Sequence, residues 1–332
     1  MIRLATLPAG RALRGPIATG RSGWNPMAAG RTRADGENLW YNPLPARSAK
    51  IDSGNRRTKP FMFLGRARMS DAKDYVLDSG IECERLDRQG QVQGFENVLR
   101  HFDLRPGMKI LDAGSGSGWV SRNLALAHPE VEIVGADYNP DYVAYAKAKA
   151  GAAGLSNLSY EVADIQRLPF EDGAFDLVWC QFVLFFVPDA QATVNEFARV
   201  ARRGGQVKVA IHQRTMLDNH PVEPEVQEDL EELVEAILSG WRVNRLPEMF
   251  RSAGLDRIDL DISTDRIYTM IGRASDDQIR NVREVLSKPI ATFTDIFGSE
   301  EAGEEFLENL LAYLRREDTS TITPYYVFTA TA

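Results

Sequence analysis

The stretch MKILDAGSGSGW at residues 108–119 joins a short apolar run to an acid, Asp112, and then to three glycines at alternate positions from Gly114. The apolar run suits a buried strand, because strands of parallel sheets are nearly continuous hydrophobic segments. Glycine has no Cβ atom, so it allows tight turns and close approach of a ligand to the main chain. A helix is predicted over 120–127, and a strand, a glycine loop and a helix in this order are typical of nucleotide-binding α/β proteins.

Beyond the loop, strands and helices are predicted to alternate as they do in a parallel sheet with crossover helices. The segments are strands at 131–136, 158–162, 175–180 and 206–211, and helices at 140–150 and 190–203. Asn139 and Pro140 fit the cap and the first position of the helix that follows them. Gly204 and Gly205 are expected to stop the helix at 190–203.

Amphipathic helices flank this alternating region on both sides. Ahead of it, Ser70 is expected to cap a helix, Gly80 to interrupt it, and a helical pattern continues over 81–101. Behind it, helical patterns cover 225–238, 246–253, 276–286 and 301–314, and strands are expected at 258–262 and 325–329.

The composition is that of an ordinary globular chain, because 44% of the 332 residues are hydrophobic and 26% are charged. No window approaches the roughly 18 consecutive apolar residues of a membrane-spanning helix, so we expect no membrane insertion. The two cysteines, Cys83 and Cys180, are far apart in the sequence and the four histidines are scattered, which predicts no metal site. We expect reduced thiols that pack in the core of a cytoplasmic protein.

The charge is unevenly divided along the chain. Residues 1–59 carry eleven Lys and Arg against three acids, which leaves the remainder near −16 within a total of −8. A body this acidic lacks the basic surface that binds phosphates, so we expect no nucleic-acid partner. The basic stretch has no hydrophobic period and is predicted to be a disordered tail. Two alternatives stay open: its aromatic cluster at 39–44 could fold over a site, and its composition also resembles a transit peptide.

Two acids follow the second and third predicted strands. Asp137 closes the second strand nineteen residues after Gly118, where an acid can accept hydrogen bonds from both ribose hydroxyls of a nucleotide. The alternative for Asp137 is helix capping, although Asn139 already offers a cap. Asp164 follows the third strand, where it could bind an exocyclic amine while Ile165 packs on a purine ring, or where it is simply a surface acid.

Several ordered motifs resemble those of class I S-adenosylmethionine-dependent methyltransferases. They are LDAGSGSG at 111–118, GAD at 135–137, ADI at 163–165 with LPF at 168–170, and FDLV at 175–178. The chain also has VPD at 187–189 and the glycine pair at 204–205, as in the small-molecule branch that contains ubiquinone-type and natural-product methyltransferases. The resemblance covers about residues 70–262, and four motifs in order are far more specific than one glycine loop.

The resemblance implies a Rossmann-like, mostly parallel seven-stranded sheet with helices on both faces, and S-adenosyl-L-methionine as cofactor. Asp112 would lie near the ammonium group of the cofactor, and Asp137 would hold its ribose. The resemblance places Gly114, Ser115 and Gly116 at the methionine end of the cofactor. It places Tyr138, Asp164 and Ile165 at the adenine, and Gln181 and Phe182 at the sulfonium. A positive sulfonium suits aromatic faces, for which Trp119, Phe182 and Phe185 are candidates.

The chain also departs from the family's pattern. The sequence LFFV at 184–187 stands where many relatives have a histidine pair, and no Asn/Asp-Pro-Pro-Tyr motif follows the fourth strand, which argues against an amino methyltransferase of nucleic acids. The region 268–323 is longer than the usual link, and we expect it to form, with 225–238, an added helical cap over the substrate; a homodimer surface or a larger core is the alternative. The expected organisation is a basic tail at 1–59, N-terminal helices covering the site at 60–107, and a methyltransferase core at 108–332 with helical insertions at about 222–253 and 270–320.

A sulfonium methyl group is already activated, so in-line displacement needs mainly alignment and exclusion of water. A base is required only when the acceptor atom carries a proton. His212, at the end of the fifth strand, is the candidate base and His220 a more remote one, with a structural role as the alternative for each. Glu82, Glu84 and Tyr75 could also face the pocket.

The apolar run from 182 to 186 favours a small hydrophobic acceptor, and carbon, oxygen and nitrogen acceptors are all open. An NAD(P)-dependent oxidoreductase fits less well, because its fingerprint needs a third glycine three places after the second, and position 119 is Trp. A regulatory or scaffold protein that binds S-adenosylmethionine without methyl transfer would carry the same motifs.

Overall fold

The computed structural model describes residues 79–212, 216–238, 241–292 and 294–332. Four features of the sequence analysis lie outside these residues: the tail at 1–59, its aromatic cluster at 39–44, the helix start at Ser70, and Tyr75. None of the helices in the described part combines the length and the apolar character that crossing a membrane requires.

The described residues form ten strands and ten α-helices. The strands are β1 Lys109–Ala113, β2 Glu132–Asp137, β3 Leu158–Val162, β4 Phe175–Gln181, β5 Ala201–His212, β6 Asp218–His220, β7 Asp256–Thr264, β8 Met270–Ile271, β9 Ser320–Ile322 and β10 Pro324–Thr331. The helices are α1 Ser79–Gln93, α2 Phe95–Leu99, α3 Trp119–Ala127, α4 Pro140–Ala152, α5 Ala190–Val200, α6 Pro224–Leu238, α7 Leu246–Ser252, α8 Asp276–Thr292, α9 Thr294–Phe297 and α10 Glu300–Leu314, with a 3₁₀ turn at Val243–Arg245.

Within the described residues, seven strands form the large sheet, in the order β3-β2-β1-β4-β5-β10-β7. The first five strands of the chain pair in parallel, and β10 runs antiparallel to both of its neighbours. The order reverses between β1 and β4, so the loops after these strands diverge and leave a crevice at their carboxyl ends. The mostly parallel seven-stranded sheet expected from the sequence is confirmed.

Both faces of the sheet are covered by helices, because successive side chains of a strand point to opposite faces. Leu111 of β1 shares a buried cluster with Phe197 of α5 and Phe250 of α7. Its neighbour Ile110 shares another cluster with Leu124 of α3. A strand that is buried on both sides needs apolar residues at every position, which explains the continuous run in the sequence.

A layer of α6, α8 and α10 has its own hydrophobic core, which we call the cap core. Its buried side chains include Leu233, Val282 and Leu310. A small antiparallel sheet of order β6-β9-β8 joins this layer through Met270, which is buried in the cap core. Phe182, at the end of β4, packs against the same core, so the layer stands beside the carboxyl edge of the large sheet. The small sheet was not predicted, because strands of two or three residues carry no readable period.

One predicted helix break was wrong and one predicted cap is confirmed. Gly80 lies inside α1, and the break comes instead at Gly94, whose φ of 78° favours glycine. The Asn139 side chain accepts the N–H of Asp141 at 2.9 Å and caps α4, as expected.

The end of α5 also differs from its prediction. The helix stops at Val200, and residues 201–205 already belong to β5. Ala201 of β5 pairs with Phe175 of β4, and the next recorded pair is Gln206 with Leu177. The segment of β5 between these two pairs is therefore longer than the matching segment of β4. The glycine pair at 204–205 therefore lies in a bulge of the strand and does not stop the helix.

Candidate functional site

A cavity of about 270 Å³ lies at the carboxyl ends of β1, β2 and β4. Its walls are the loops that follow these strands and one face of α1, which places it where ligands of open α/β sheets bind. Eight of the ten residues predicted to bind the cofactor line it: Asp112, Gly114, Ser115, Gly116, Asp137, Tyr138, Gln181 and Phe182.

Main-chain hydrogen bonds to β2 hold the shape of the glycine loop. The N–H groups of Gly114 and Ser115 donate to the carbonyl oxygen of Ala136 at 2.7 and 3.0 Å. Gly114 has a φ of 76°, and a Cβ atom there would lie 2.5 Å from Cγ2 of Val183. The Ser115 hydroxyl is buried without a hydrogen-bond partner. Glycine is therefore required at position 114 by close packing against Val183, and the unpaired Ser115 hydroxyl fits a polar group of a ligand.

The Asp137 carboxylate ties this loop to β2. Its Oδ2 accepts the N–H of Gly116 at 2.8 Å, and its Oδ1 accepts the N–H of Asn139 at 3.0 Å. Burial raises the pKa of this carboxyl, and the amide donors offset part of the rise. Each carboxylate oxygen can accept more than one hydrogen bond, so both oxygens keep lone pairs for the hydroxyls of a ligand.

Asp112 is a buried carboxyl at the floor of the cavity. Its Oδ2 accepts the hydroxyl of Ser121. Burial raises its pKa to about 6, and the Ser121 hydroxyl opposes that rise. A cationic group placed beside it would lower the pKa again and stabilise the charged form. The site therefore favours a positively charged part of a ligand.

One face of α1 forms a wall of the cavity. The side of the helix that faces the cavity carries five residues at helical spacing, of which Gln89 and Gly90 are adjacent: Glu82, Leu86, Gln89, Gly90 and Gln93. Of these, only Glu82 was predicted to face the pocket, together with Glu84, which is exposed. The helical spacing of the other four was the signal that could have found them.

Asp87 fastens α1 to the glycine loop. Its Oδ1 accepts the Ser117 hydroxyl at 2.6 Å and Nη2 of Arg122 at 2.7 Å, and its Oδ2 accepts the hydroxyl of Tyr145 at 3.1 Å. These contacts hold the helix over the cavity.

Two aromatic candidates behave differently. Trp119 lines the cavity and lies so close to α1 that a Cβ atom on Gly90 would be 2.3 Å from its Cδ2. Phe185 is absent from the described lining and packs on Phe186, with ring centroids 4.3 Å apart.

Phe182 lines the cavity, and its backbone is strained. Its φ of 58° is rare for a bulky residue. Its N–H donates to the carbonyl oxygen of Ala210 at 2.9 Å. The ring centroid lies 4.6 Å from that of His212 and 5.7 Å from that of Tyr325.

His212 is not among the described residues that line the cavity, because it lies behind Phe182. Its ring also meets Tyr268, with centroids 5.5 Å apart. Removal from water lowers the pKa of His212 to about 4. The imidazole is therefore neutral at pH 7, which is the form that accepts a proton.

Asp164 and Ile165 also lie beyond the described cavity lining. The Asp164 carboxylate is exposed and accepts the N–H of Gln166 at 2.9 Å. Ile165 is buried in the core cluster on the α5 side of the sheet. The structure therefore does not bring these two residues to the described cavity wall.

A buried carboxyl that the sequence did not reveal lies near the cap side of the cavity. Asp265 is fully buried, and its Oδ1 accepts the N–H of Ile267 at 2.7 Å. Its Oδ2 has no hydrogen-bond partner. Burial raises its pKa to about 7. The native state therefore holds a proton on Asp265 between about pH 4 and pH 7, where an unfolded chain does not.

Asp265→Asn should raise the free energy of unfolding by about 1–2 kcal/mol at pH 8 and by much less at pH 5. The amide keeps an acceptor for the N–H of Ile267, and it removes the buried charge that wild type carries at high pH. In wild type this contribution to stability falls as pH rises from about 4 to about 7. Urea unfolding of both proteins at pH 5, 6.5 and 8 measures the difference, and a gap that is constant with pH would refute the assignment.

Residues 111–209 match the family model of a methyltransferase domain. A similar protein from Mycobacterium tuberculosis, of uncharacterised function, is 34% identical over 131 residues, which cover 38% of this chain and 47% of that protein. A demethylmenaquinone methyltransferase from Beutenbergia cavernae is 35% identical over 149 residues, which cover 45% of this chain and 55% of that protein. The chain spans about half the length of these curated relatives.

The solved structure of phosphoethanolamine N-methyltransferase 2 from Haemonchus contortus, in complex with S-adenosyl-L-methionine, has the same fold. Its TM-score is 0.53 at 19% identity, over 80% of this chain and 60% of that chain. The domain match begins in β1 and ends in β5, so it includes the glycine loop and Asp137. The resemblance to methyltransferases seen in the motifs is confirmed for this segment.

Proposed function

We propose that this protein, whose residues 111–209 form a methyltransferase domain, binds S-adenosyl-L-methionine and transfers its methyl group to a small hydrophobic metabolite. The observation that carries the proposal is a single cavity lined by the glycine loop, Asp112 and Asp137. A positively charged group and a pair of vicinal hydroxyls are the ligand features that these residues suit, and this cofactor has both.

The described residues suit both ends of that cofactor. Asp112 would pair with its ammonium group, and the partial positive charge at the start of α3 would favour its carboxylate. Asp137 would accept hydrogen bonds from the ribose hydroxyls, with Tyr138 beside the adenine. Asp164 and Ile165 stay a proposal for adenine recognition, which would require the adenine to extend past Tyr138 toward the end of β3.

The remaining residues align the reactants and exclude water. The bound cofactor supplies a methyl group on a positive sulfur: the acceptor atom bonds to the methyl carbon as the carbon–sulfur bond breaks, and the sulfur keeps the electron pair. Trp119 and Phe182 present aromatic faces that stabilise a cation. Asp87 holds α1 over the cavity and so limits entry of water.

His212 is the proposed proton acceptor when the acceptor atom carries a proton, and it would act past the ring of Phe182. His212→Phe keeps an aromatic ring against Phe182 and removes the base, so we expect a fall in kcat with an unchanged Kd for S-adenosylhomocysteine. A pKa of about 4 keeps the imidazole neutral throughout pH 5–8 but also makes it a weak proton acceptor, so the fall should be about tenfold at most. Wild-type turnover in the phenylalanine variant would assign His212 a purely structural role.

Transfer of an isotope-labelled methyl group from S-adenosylmethionine to a small molecule of a metabolite extract tests the function. We expect a labelled product that partitions into organic solvent and does not form without the protein. Tight cofactor binding with no labelled product in any extract would favour the second candidate, a regulatory or scaffold protein that binds the cofactor alone.

We also propose a cytoplasmic location. Cys83 and Cys180 are both free and buried, and burial raises the pKa of Cys83 to about 12, which makes its thiol inert. Free, packed thiols are typical of a reducing compartment.

A further inference from the structure

Three polar atoms on the described wall of the cavity are buried without a hydrogen-bond partner: Ser115 Oγ, Gln181 Oε1 and Gln93 Nε2. Ser115 lies in the glycine loop, and Gln181 ends β4, so both belong to the part of the cavity proposed for the cofactor. Gln93 lies on α1, away from the sheet. A buried donor without an acceptor costs free energy, and each such group in a native protein calls for an explanation.

The orientation of the Gln93 amide is fixed by the main chain. Its side chain is 1% exposed, and its Oε1 accepts the N–H of Arg266 at 3.0 Å. The segment that holds it is fixed in turn, because Nε2 of Gln278 donates to the carbonyl oxygens of Arg266 and Thr269 at 3.0 and 3.1 Å. Its oxygen faces the Arg266 N–H, so the unpartnered Nε2 is the group that Gln93 offers to a ligand.

Gln93 lies on the cap side of the cavity. One end of the α1 wall is near the glycine loop, where Leu86 Cδ1 is 3.2 Å from the position of a Cβ atom on Gly116. Gln93 lies seven positions after Leu86 on the helix, a distance of about 10 Å along the helix axis. Val92, next to Gln93, packs against the cap core, as Phe182 does. The amide is therefore displaced from the loop toward the cap.

The described lining carries three acids, Glu82, Asp112 and Asp137, and no Lys, Arg or His. Both oxygens of Glu82 are paired with Arg85, at 2.6 and 2.8 Å. Asp112 and Asp137 are assigned to the cofactor. No cation is available in this lining for an acidic acceptor, and no carboxylate is left for a basic one. The rest of the lining includes apolar residues: Leu86, Val120, Val183, Phe186 and Ile267.

We propose that Gln93 anchors the methyl acceptor, and that the acceptor is an uncharged, apolar molecule with a carbonyl or hydroxyl oxygen that accepts a hydrogen bond from Nε2. This inference rests on the proposed function and specifies its substrate class. Gln93 is a specificity-determining residue, because its hydrogen bond increases the affinity for a ligand that has an oxygen at one position and is otherwise apolar.

Calorimetric binding to the full chain saturated with S-adenosylhomocysteine tests the inference with three matched probes: 1-acetonaphthone, 1-naphthoate and naphthalene. The ketone oxygen of 1-acetonaphthone can only accept a hydrogen bond, and we expect this probe to bind at least tenfold more tightly than the other two. Gln93→Glu keeps an acceptor for the N–H of Arg266 but replaces the donor, so it should abolish this preference and change the Kd for S-adenosylhomocysteine less than twofold. Gln278→Leu is the control, since it loosens the same segment outside the cavity and should keep the preference.

Three results would overturn the inference: 1-acetonaphthone that does not bind, 1-naphthoate that binds as tightly, or a preference that survives Gln93→Glu. A loss of S-adenosylhomocysteine affinity in Gln93→Glu, with the probe preference retained, would place Gln93 in the cofactor site instead. Wild-type protein that does not bind S-adenosylhomocysteine at all would refute the proposed function itself, so the two failures are distinguishable.

Discussion

We expect Asp137→Ala to weaken the binding of S-adenosylhomocysteine about 100-fold, which corresponds to about 3 kcal/mol of binding free energy. The variant loses hydrogen bonds from two ribose hydroxyls to a charged acceptor, and each such bond contributes about 1.5–3 kcal/mol. It also frees the N–H groups of Gly116 and Asn139, which the carboxylate now holds at 2.8 and 3.0 Å. Isothermal titration calorimetry on the folded variant measures the loss.

A ligand that lacks the ribose 2′-hydroxyl separates these two contributions. Wild type should bind 2′-deoxy-S-adenosylhomocysteine about tenfold more weakly than the parent compound, because one charge-assisted hydrogen bond is lost. Asp137→Ala should bind both compounds alike if the carboxylate contacts the ribose. Discrimination that persists in the variant would mean that Asp137 only supports the loop.

We expect Gly118→Ala to lower the free energy of unfolding by about 2–4 kcal/mol, because it adds both backbone strain and overpacking. Gly118 has a φ of 76°, which a residue with a Cβ atom adopts at a cost. A Cβ atom there would lie 2.3 Å from the Tyr160 hydroxyl and 2.9 Å from Cβ of Ala146. Tyr160 is buried and also donates to the carbonyl oxygen of Gly118 at 3.2 Å, so it cannot move away freely.

Gly107→Ala is the matched control. Gly107 has a similar φ of 82°, but a Cβ atom there meets nothing within 4 Å. Its substitution should cost only the backbone strain, about 1 kcal/mol. Urea unfolding of both variants measures the difference, and equal losses would show that Tyr160 does not restrict the loop.

The glycine-loop side of the cavity could be predicted from the sequence because backbone geometry fixes its residue types. Glycine is required where the loop turns at positive φ, as at Gly114. Asp137 could be placed because acids at the ends of parallel strands share one edge of the sheet. These rules are local, so a single sequence reveals them.

The opposite side of the cavity could not be predicted in the same way. The resemblance placed Phe182 at the site, but its φ of 58°, which its residue type disfavours, could not be predicted. Gln93 is a polar residue at the end of a helix and resembles a surface residue until Arg266 is packed against it. Asp265 is buried because its segment pairs with the distant Thr323, whose carbonyl oxygen accepts the Asp265 N–H at 2.8 Å. Contacts between distant segments leave no local pattern.

A crystal structure of the full chain with S-adenosylhomocysteine tests the central claim most directly, because the claim assigns each part of the cofactor to named residues. We predict that the ligand occupies the cavity, with its ribose hydroxyls within hydrogen-bond distance of the Asp137 carboxylate and its methionine end over the loop from Gly114 to Gly116. The sulfur should lie beside Phe182. A ligand bound elsewhere, or a ribose held by a residue other than Asp137, would contradict the account.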